Sequence, residues 1–290
     1  MAKNKKRLKA VDITAYIFLT VGGLIMLYPV IYVFLGALYT AKEFNTSQIG
    51  FIPWPNEPTL KNYQALFFAS GDKWTAVYVK NSILRTVYGT GFAVLTSMLS
   101  GYVFARLRFR GKNAVFLIVL STQMIPSIVG TLPMFLELKV FNIYDTWGVY
   151  LLLNGGLINV MGMFLVKQSI ESTPLAIEEA AKIDGAGTFC IIFRIILPLI
   201  KTVLAYIAIT TAIGIWNDWS MSFYYTDSRN LQVVASALSR LTTFAGQEGT
   251  MINYPAILSF SLLLTLPSVA IFAIFQKWIV EGVAAAGIKG

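Results

Sequence analysis

Six stretches of nearly uninterrupted apolar residues, near 13–39, 86–105, 114–136, 146–166, 202–217 and 254–276, punctuate the 290-residue chain. A helix needs about 20 mostly apolar residues to cross the hydrocarbon core of a bilayer. The pattern therefore predicts an all-α, polytopic membrane protein with six transmembrane helices. A short segment, 1–12, precedes a single membrane domain over 13–290. The fifth stretch is the shortest, and is expected to extend backward through Ile195–Ile200 or forward past Trp216. The first follows a basic start, Met1 to Arg7, but it exceeds the roughly 7–15 apolar residues of a signal-peptide core and reads as a retained span. Between the first two spans, Phe51 to Pro58 is proline-set and lacks helical period. Tyr63 to Phe68 beyond it is expected to form a short interfacial helix.

Composition agrees with the pattern. The chain is 56% hydrophobic and 13% charged, with a mean hydropathy of +0.67, where soluble domains carry about 25% charged residues. Cytoplasmic segments of membrane proteins are enriched in Lys and Arg. With the N-terminus inside, the inner segments hold 15 of the 23 basic residues, among them Lys3 to Lys9, Arg106 to Lys112, and Lys167, Lys182, Arg194 and Lys201. The outer segments hold eight basic and eight acidic residues, so the whole net charge of +9 lies on one face. Both termini and the loop 167–201 are thereby expected in the cytoplasm. A membrane surface, and no nucleic acid, accounts for the basic balance. A single cysteine, Cys190, and the lack of histidine exclude an internal disulfide and make thiol or imidazole metal sites untenable, so no metal is expected.

The loop 167–201 has its own start and stop signals. Thr173 is expected to cap a helix with Pro174 at its first position, where a missing N–H costs nothing. Leu175 to Asp184 are helix formers, and Gly185 stands where a left-handed cap ends the helix. Thr188 is placed to cap a second short helix leading toward Pro198. Ala176, Ala180 and Ile183 share one face while Glu178, Glu179 and Lys182 lie on others. That small face suits close approach to a partner groove. The residues alone equally describe a capped surface helix supported by a weak Glu179–Lys182 pair.

The spaced series Glu179, Ala180, Ala181, Asp184, Gly185, Ala186, Ile195, Leu197 and Pro198 resembles the Glu-Ala-Ala signature loop of membrane subunits of ABC importers, with no departure between Glu179 and Pro198. The chain from Gln276 to Gly290 resembles, more loosely, the end of carbohydrate-importer permeases of the maltose-transporter type. Glu281 and the run Ala284–Ala286 are not that family's commonest choices. The layout is similar to the shorter, six-span partner of such heterodimers over essentially the whole chain. The resemblance implies a type I ABC importer fold in a bacterial cytoplasmic membrane. It implies as partners a second permease subunit, two ABC ATPase subunits, an extracytoplasmic solute-binding protein and membrane lipid. Residues 174–185 would be a coupling helix seated in an ATPase cleft, with Glu179 paired to a basic groove residue. Lys289 and Gly290 would reach toward the ATPase dimer. No Gly-rich phosphate loop followed by Lys-Ser/Thr is present, so the chain is expected to bind no cofactor and to hydrolyse nothing, ATP and Mg residing on partner subunits.

Ile215-Trp216-Asn217-Asp218-Trp219 at the end of the fifth span is also similar to this family. Trp216 and Asn217 suit a sugar ring and its hydroxyls, although tryptophan at a span end also serves as an interface anchor. Gln123 and Asn154 (the latter followed by Gly155 and Gly156), together with Asn159, are polar groups inside spans. They read either as a polar path for a neutral substrate or as helix–helix contacts. Pro126 and Pro133 are expected to loosen the third helix. No ionisable residue falls inside the six stretches, which disfavours an ion-coupled secondary carrier. A permease for a non-sugar solute remains the nearer alternative to a sugar or oligosaccharide importer, and the sugar itself is not named by any residue.

Overall fold

The computed structural model describes residues 2–47, 49–68, 74–154, 159–243 and 252–287, and every regular element among them is helical. Asp72, Lys73, Gly155, Gly156, Glu248, Lys289 and Gly290 lie outside the described residues. The elements are α1 (Ala2–Gly36), α2 (Ala41–Thr46), α3 (Lys61–Phe68), α4 (Trp74–Arg106), α5 (Lys112–Ser121), α6 (Thr131–Val140), α7 (Trp147–Leu153) and α8 (Val160–Glu171). They continue with α9 (Leu175–Ile183), α10 (Thr188–Cys190), a π-helical segment (Ile191–Ile196), α11 (Leu197–Leu199), α12 (Lys201–Asn217), α13 (Ser220–Tyr225), α14 (Val234–Thr243) and α15 (Tyr254–Gly287). The chain forms two compact units, 1–73 with 240–263, and 74–239 with 264–290.

In the first unit, α1 leaves Tyr16, Phe18, Leu24 and Met26 exposed, and none of its most apolar stretch is buried. Water would penalise such a surface, whereas lipid tails match it. The carbonyls at its end are satisfied from α3: Tyr63 donates to Phe34 O at 3.0 Å, and Asn62 Nδ2 donates to Ala37 O and Tyr39 O at 2.8 and 2.7 Å. The proline-set stretch is held by Glu43, whose carboxylate accepts from the Asn56 backbone at 2.7 Å and its side chain at 3.1 Å.

In the second unit, α8 and α12 pack along α4. Small residues line its buried face: Gly89, Ala93, Ser97 and Gly101. A Cβ on Gly101 would stand 2.5 Å from Val166 Cγ1 and 3.1 Å from the Lys167 backbone nitrogen, and Gly162 of α8 closes directly on Ser97. Lipid tails are as apolar as leucine, so packing at close approach is what holds such helices together. Met98, Tyr102, Val166, Ile170, Ile191, Ile196, Val203 and Ile207 fill the core at one end of α4. A second cluster around Leu138, Val149, Tyr150, Tyr225 and Val233 joins α6, α7 and α13.

The apolar runs and the helices differ in instructive ways. The second helix begins at Trp74, well before residue 86, and its 33 residues give about 50 Å against a hydrocarbon core of about 30 Å. Arg85, the residue just before that run, therefore lies within the helix and is 2% exposed. The third run is bent by 90° between Lys112–Met124 and Ser127–Val140. Pro126 explains the break, because the residue before a proline is driven out of the helical region, and Ile125 is extended at φ −81°, ψ 118°. Pro133 does not loosen anything, since it sits in the first turn of α6, where its N–H would be unpaired in any case.

The fourth run comprises α7 and α8 on either side of residues 155–158. The fifth turns by 81° at Ile200, so Ile195–Ile200 do not extend it in line. Among the described residues, Ile13–Gly36, Trp74–Arg106 and Tyr254–Trp278 are long and apolar enough to cross a membrane, and the total reaches five if each bent pair is one span.

Replacing Gly101 by leucine forces α8 away from α4. It is expected to destabilise the protein by about 1–3 kcal/mol or more, read as a lower unfolding temperature in detergent, while Gly91→Leu, where a Cβ meets nothing within 4 Å, leaves it unchanged. Equal melting of Gly101→Leu and the unsubstituted protein would contradict this packing.

Candidate functional site

The segment from Glu171 to Ile200 is built as a short amphipathic helix held between two well-defined turns. Helix α9 runs from Leu175 to Ile183, with Pro174 in the N-cap position. Thr173 does not cap it, a correction to the sequence expectation. Its hydroxyl donates to Ser169 O at 3.2 Å and so prolongs the last turn of α8. The far end is a Schellman turn: Gly185 N–H donates to Lys182 O at 3.0 Å and Ala186 N–H to Ala181 O at 2.9 Å. Gly185 adopts φ +86°, the left-handed conformation that this turn requires and that glycine adopts without a Cβ penalty. The Thr188 hydroxyl likewise caps nothing, since Thr188 is the first residue of α10 and Gly187 precedes it as the cap.

The chain then enters the π-helical segment, whose widened turn is marked by Leu197 N–H bonding to Ile192 O. Pro198 has no N–H to return to Arg194 O, the bond a regular α-helix needs there.

The two faces of α9 differ sharply. On the inner face Glu178 is 1% exposed. Its carboxylate accepts from Arg106 Nε at 2.5 Å and from the Tyr102 hydroxyl at 3.2 Å, and Arg106 Nη2 donates to Thr173 O at 2.8 Å. Ala181 and Ala186 pack beside them against the core around Ile170, Ile191 and Ile196. On the outer face Ala176, Glu179, Ala180 and Ile183 are exposed, Ile183 to 86%. Phe189 of α10 is exposed as well. An exposed isoleucine on a helix that also carries Glu179 and Lys182 suits contact with a protein partner.

The signature residues are thereby divided. Glu179, Ala180, Asp184, Gly185 and Pro198 are exposed, whereas Ala181, Ile195 and Leu197 turn half-buried into the core. The residues that fix the helix, Glu178, Tyr102 and Arg106, were not legible as a group. Glu178 reads only as one of three charges, with Glu179 and Lys182, off the small face of the helix, and Arg106 is far away in sequence. Their one signal was scarcity, since an acid and a base in so apolar a chain are both expected to find partners.

The suggested path residues behave differently. Trp216 is 6% exposed and its indole donates to Leu264 O at 2.8 Å. Asn217 donates to Ile213 O and Ser268 Oγ at 2.8 and 2.9 Å. Both tie α12 to α15, which argues for a packing role. Gln123 is exposed in the bend after α5. Asn159 caps α8 by accepting from Gly162 N–H. Asn154 Oδ1 accepts from Arg85 Nε at 2.9 Å, while Arg85 also donates to Asp218 O at 2.9 Å and pairs with the Asp218 carboxylate. Burial pushes the Asp218 carboxyl up, but the Arg85 guanidinium and Ser220 outweigh it and hold it below the usual carboxylate range. A guanidinium does not release its proton, so this buried charge supplies no proton relay.

The second unit is thus a helical membrane unit that presents a capped, partly exposed helix ahead of a bent span. Residues 93–285 match the family described as binding-protein-dependent transport system inner membrane component, and the chain belongs to that family. It is 28% identical over 276 residues to an arabinooligosaccharides transport system permease protein of Halalkalibacterium halodurans, covering 94% of this chain and 96% of that one. It is 29% identical over 280 residues to a galactooligosaccharides transport system permease protein of Bacillus subtilis, covering 95% of each. The fold resembles a chain of a bacterial ABC transporter involved in the import of the acidic polysaccharide alginate, with a TM-score of 0.76, 22% identity and coverage of 93% and 96%.

At Gly185 an added Cβ would touch nothing within 4 Å, so substitutions there report backbone strain alone. Gly185→Val is expected to cost about 1–2 kcal/mol, and Gly185→Asn much less, since asparagine tolerates the left-handed region. Thermal unfolding in detergent checks the order, and equal melting of the two variants would contradict it.

Proposed function

We propose that this chain is the membrane-spanning permease subunit of an ATP-driven importer, and that it translocates a sugar or oligosaccharide delivered by an extracytoplasmic binding protein. The single observation that carries the mechanism is the two-faced α9: Glu178 fixes its inner face, and Glu179, Ala180 and Ile183 stand free on the outer one. In this reading both termini and α9 are cytoplasmic, in keeping with the basic excess on that side. The outer face seats in a cleft of an ATPase subunit, where Glu179 meets a basic side chain. Closure of two ATPase subunits then displaces α9 as a rigid body. A second permease subunit completes the translocation path, ATP and Mg are bound by the ATPase partners, and Lys289 and Gly290 reach toward their interface.

The substrate class rests on the relatives, whose names specify arabino- and galactooligosaccharides. One observation favours a second reading: a sn-glycerol-3-phosphate transport system permease protein of Yersinia enterocolitica is 26% identical and covers 97% of this chain. The reconstituted complex with its binding protein separates the two. Stimulation of ATP hydrolysis by neutral oligosaccharides supports the first reading, and stimulation by glycerol phosphates alone replaces it with the second.

Charge reversal at Glu179 tests the docking face. Glu179→Lys is expected to leave the protein in the membrane while uptake falls by about tenfold or more, the size of an ordinary coupling free energy. Uptake at the unsubstituted level by Glu179→Lys would remove the assignment of α9 to the ATPase.

A further inference from the structure

Buried Arg85 and partly buried Arg106 both belong to α4, and each grips a different part of the bundle. Arg106, its last residue, holds α9 through the Glu178 carboxylate and the Thr173 carbonyl. Arg85 holds the end of α12 through the Asp218 carbonyl and carboxylate, and the end of α7 through Asn154 Oδ1. Its guanidinium also lies 5.2 Å from the centre of the Tyr150 ring, whose hydroxyl donates to Leu231 O at 2.6 Å. The two arginines stand 21 positions apart, a rise of about 32 Å, close to the thickness of the hydrocarbon core. At 100° per residue they fall within about 60° of one another, on nearly one side of the helix. Along α4 from Arg85, at four-residue spacing, runs the small-residue seam Gly89, Ala93, Ser97 and Gly101, packed without slack against α8 and α12.

We propose that α4 is a strut that carries the displacement of α9 to the opposite end of the bundle, with Arg106–Glu178 and Arg85–Asp218 as its two clamps. The proposal rests on the importer reading, in which α9 is driven by an ATPase subunit. The four residues are positioning residues. A helix bends little over this length, and a charged group removed from water cannot let go of its partner cheaply. Motion imposed on α9 at Glu178 therefore reaches Asp218 and Asn154 without passing through the loops. The clamps act in series: breaking either interrupts transmission, and breaking the second adds nothing.

The test uses the complete importer in proteoliposomes with its binding protein, and a radiolabelled arabino- or galactooligosaccharide that stimulates the unsubstituted complex. Glu178→Gln and Asp218→Asn keep shape and remove charge. Each is expected to lower uptake per ATP hydrolysed by about tenfold, although the two sites stand at opposite ends of α4. The double variant is expected to lose the same factor. Independent sites would multiply to roughly a hundredfold, and that result overturns the proposal, as does an unchanged ratio or a parallel fall of uptake and hydrolysis.

Spin labels at Leu107 and Lys182, in a background with Cys190→Ser, provide a readout that needs no loss of function. Their separation is expected to be the same in nucleotide-free and vanadate-trapped states, and to become state-dependent in Glu178→Gln. A state-dependent separation in the otherwise unsubstituted clamp overturns the strut. Failure of the chain to form any complex with ATPase subunits defeats the importer reading first and the strut with it.

Discussion

The buried ion pair between Glu178 and Arg106 decides what the rest of the molecule presents. A carboxylate 1% exposed is costly unless its charge and lone pairs are met, and removing either partner leaves an uncompensated buried charge. Here the guanidinium and the Tyr102 hydroxyl both meet it. The pair consequently fixes the rotation of α9 about its own axis. With Glu178 turned inward, the 3.6-residue period turns Ala176, Glu179, Ala180 and Ile183 outward. A rotation of one residue would bury Glu179 and expose its neighbour. The exposed surface of α9 is thus defined by an interaction on the opposite side of the helix.

Arg106 can act in this way because α4 is itself immobilised. Gly101 and Ser97 let α8 approach closely, and Gly89 makes room for the Ile215 side chain of α12. In a bilayer these contacts replace the hydrophobic driving force as the source of helix association. The Schellman turn at Gly185 and the π-helical segment then return the chain to the core through Ala186, Ile191 and Ile196, so both ends of α9 are anchored while its middle is offered to a partner.

Much of this was legible in the sequence. The apolar runs located most of the long helices, and the proline, the glycine and the Glu-Ala-Ala spacing marked the exposed segment with its end at Gly185. Failures had common physical causes. Hydropathy cannot see the helix before residue 86, because Trp74 to Arg85 mixes polar and apolar side chains that are satisfied only by tertiary partners such as Asn154 and Asp218. The buried Glu178 looked like any surface acid, since pairing with a residue 72 positions away leaves no local trace. Thr173 was assigned a capping role that its hydroxyl gives to α8 instead. Trp216 and Asn217 fit either a sugar contact or an anchor in the sequence; the Trp216 indole bonds to Leu264 and the Asn217 amide to Ile213 of its own helix and to Ser268 of α15, and side-chain direction of that kind is decided by packing.

The central claim is that the outer face of α9 is gripped by an ATP-hydrolysing subunit while the inner face stays in the bundle. Photo-cross-linking from single positions along α9, in the complex co-expressed with its ATPase, tests this most directly. The account predicts an adduct with the ATPase subunit from positions 180 and 183 and none from position 181, whose side chain packs against the core. Adducts from 181 alone, or none from 183 in a complex that hydrolyses ATP, would contradict it.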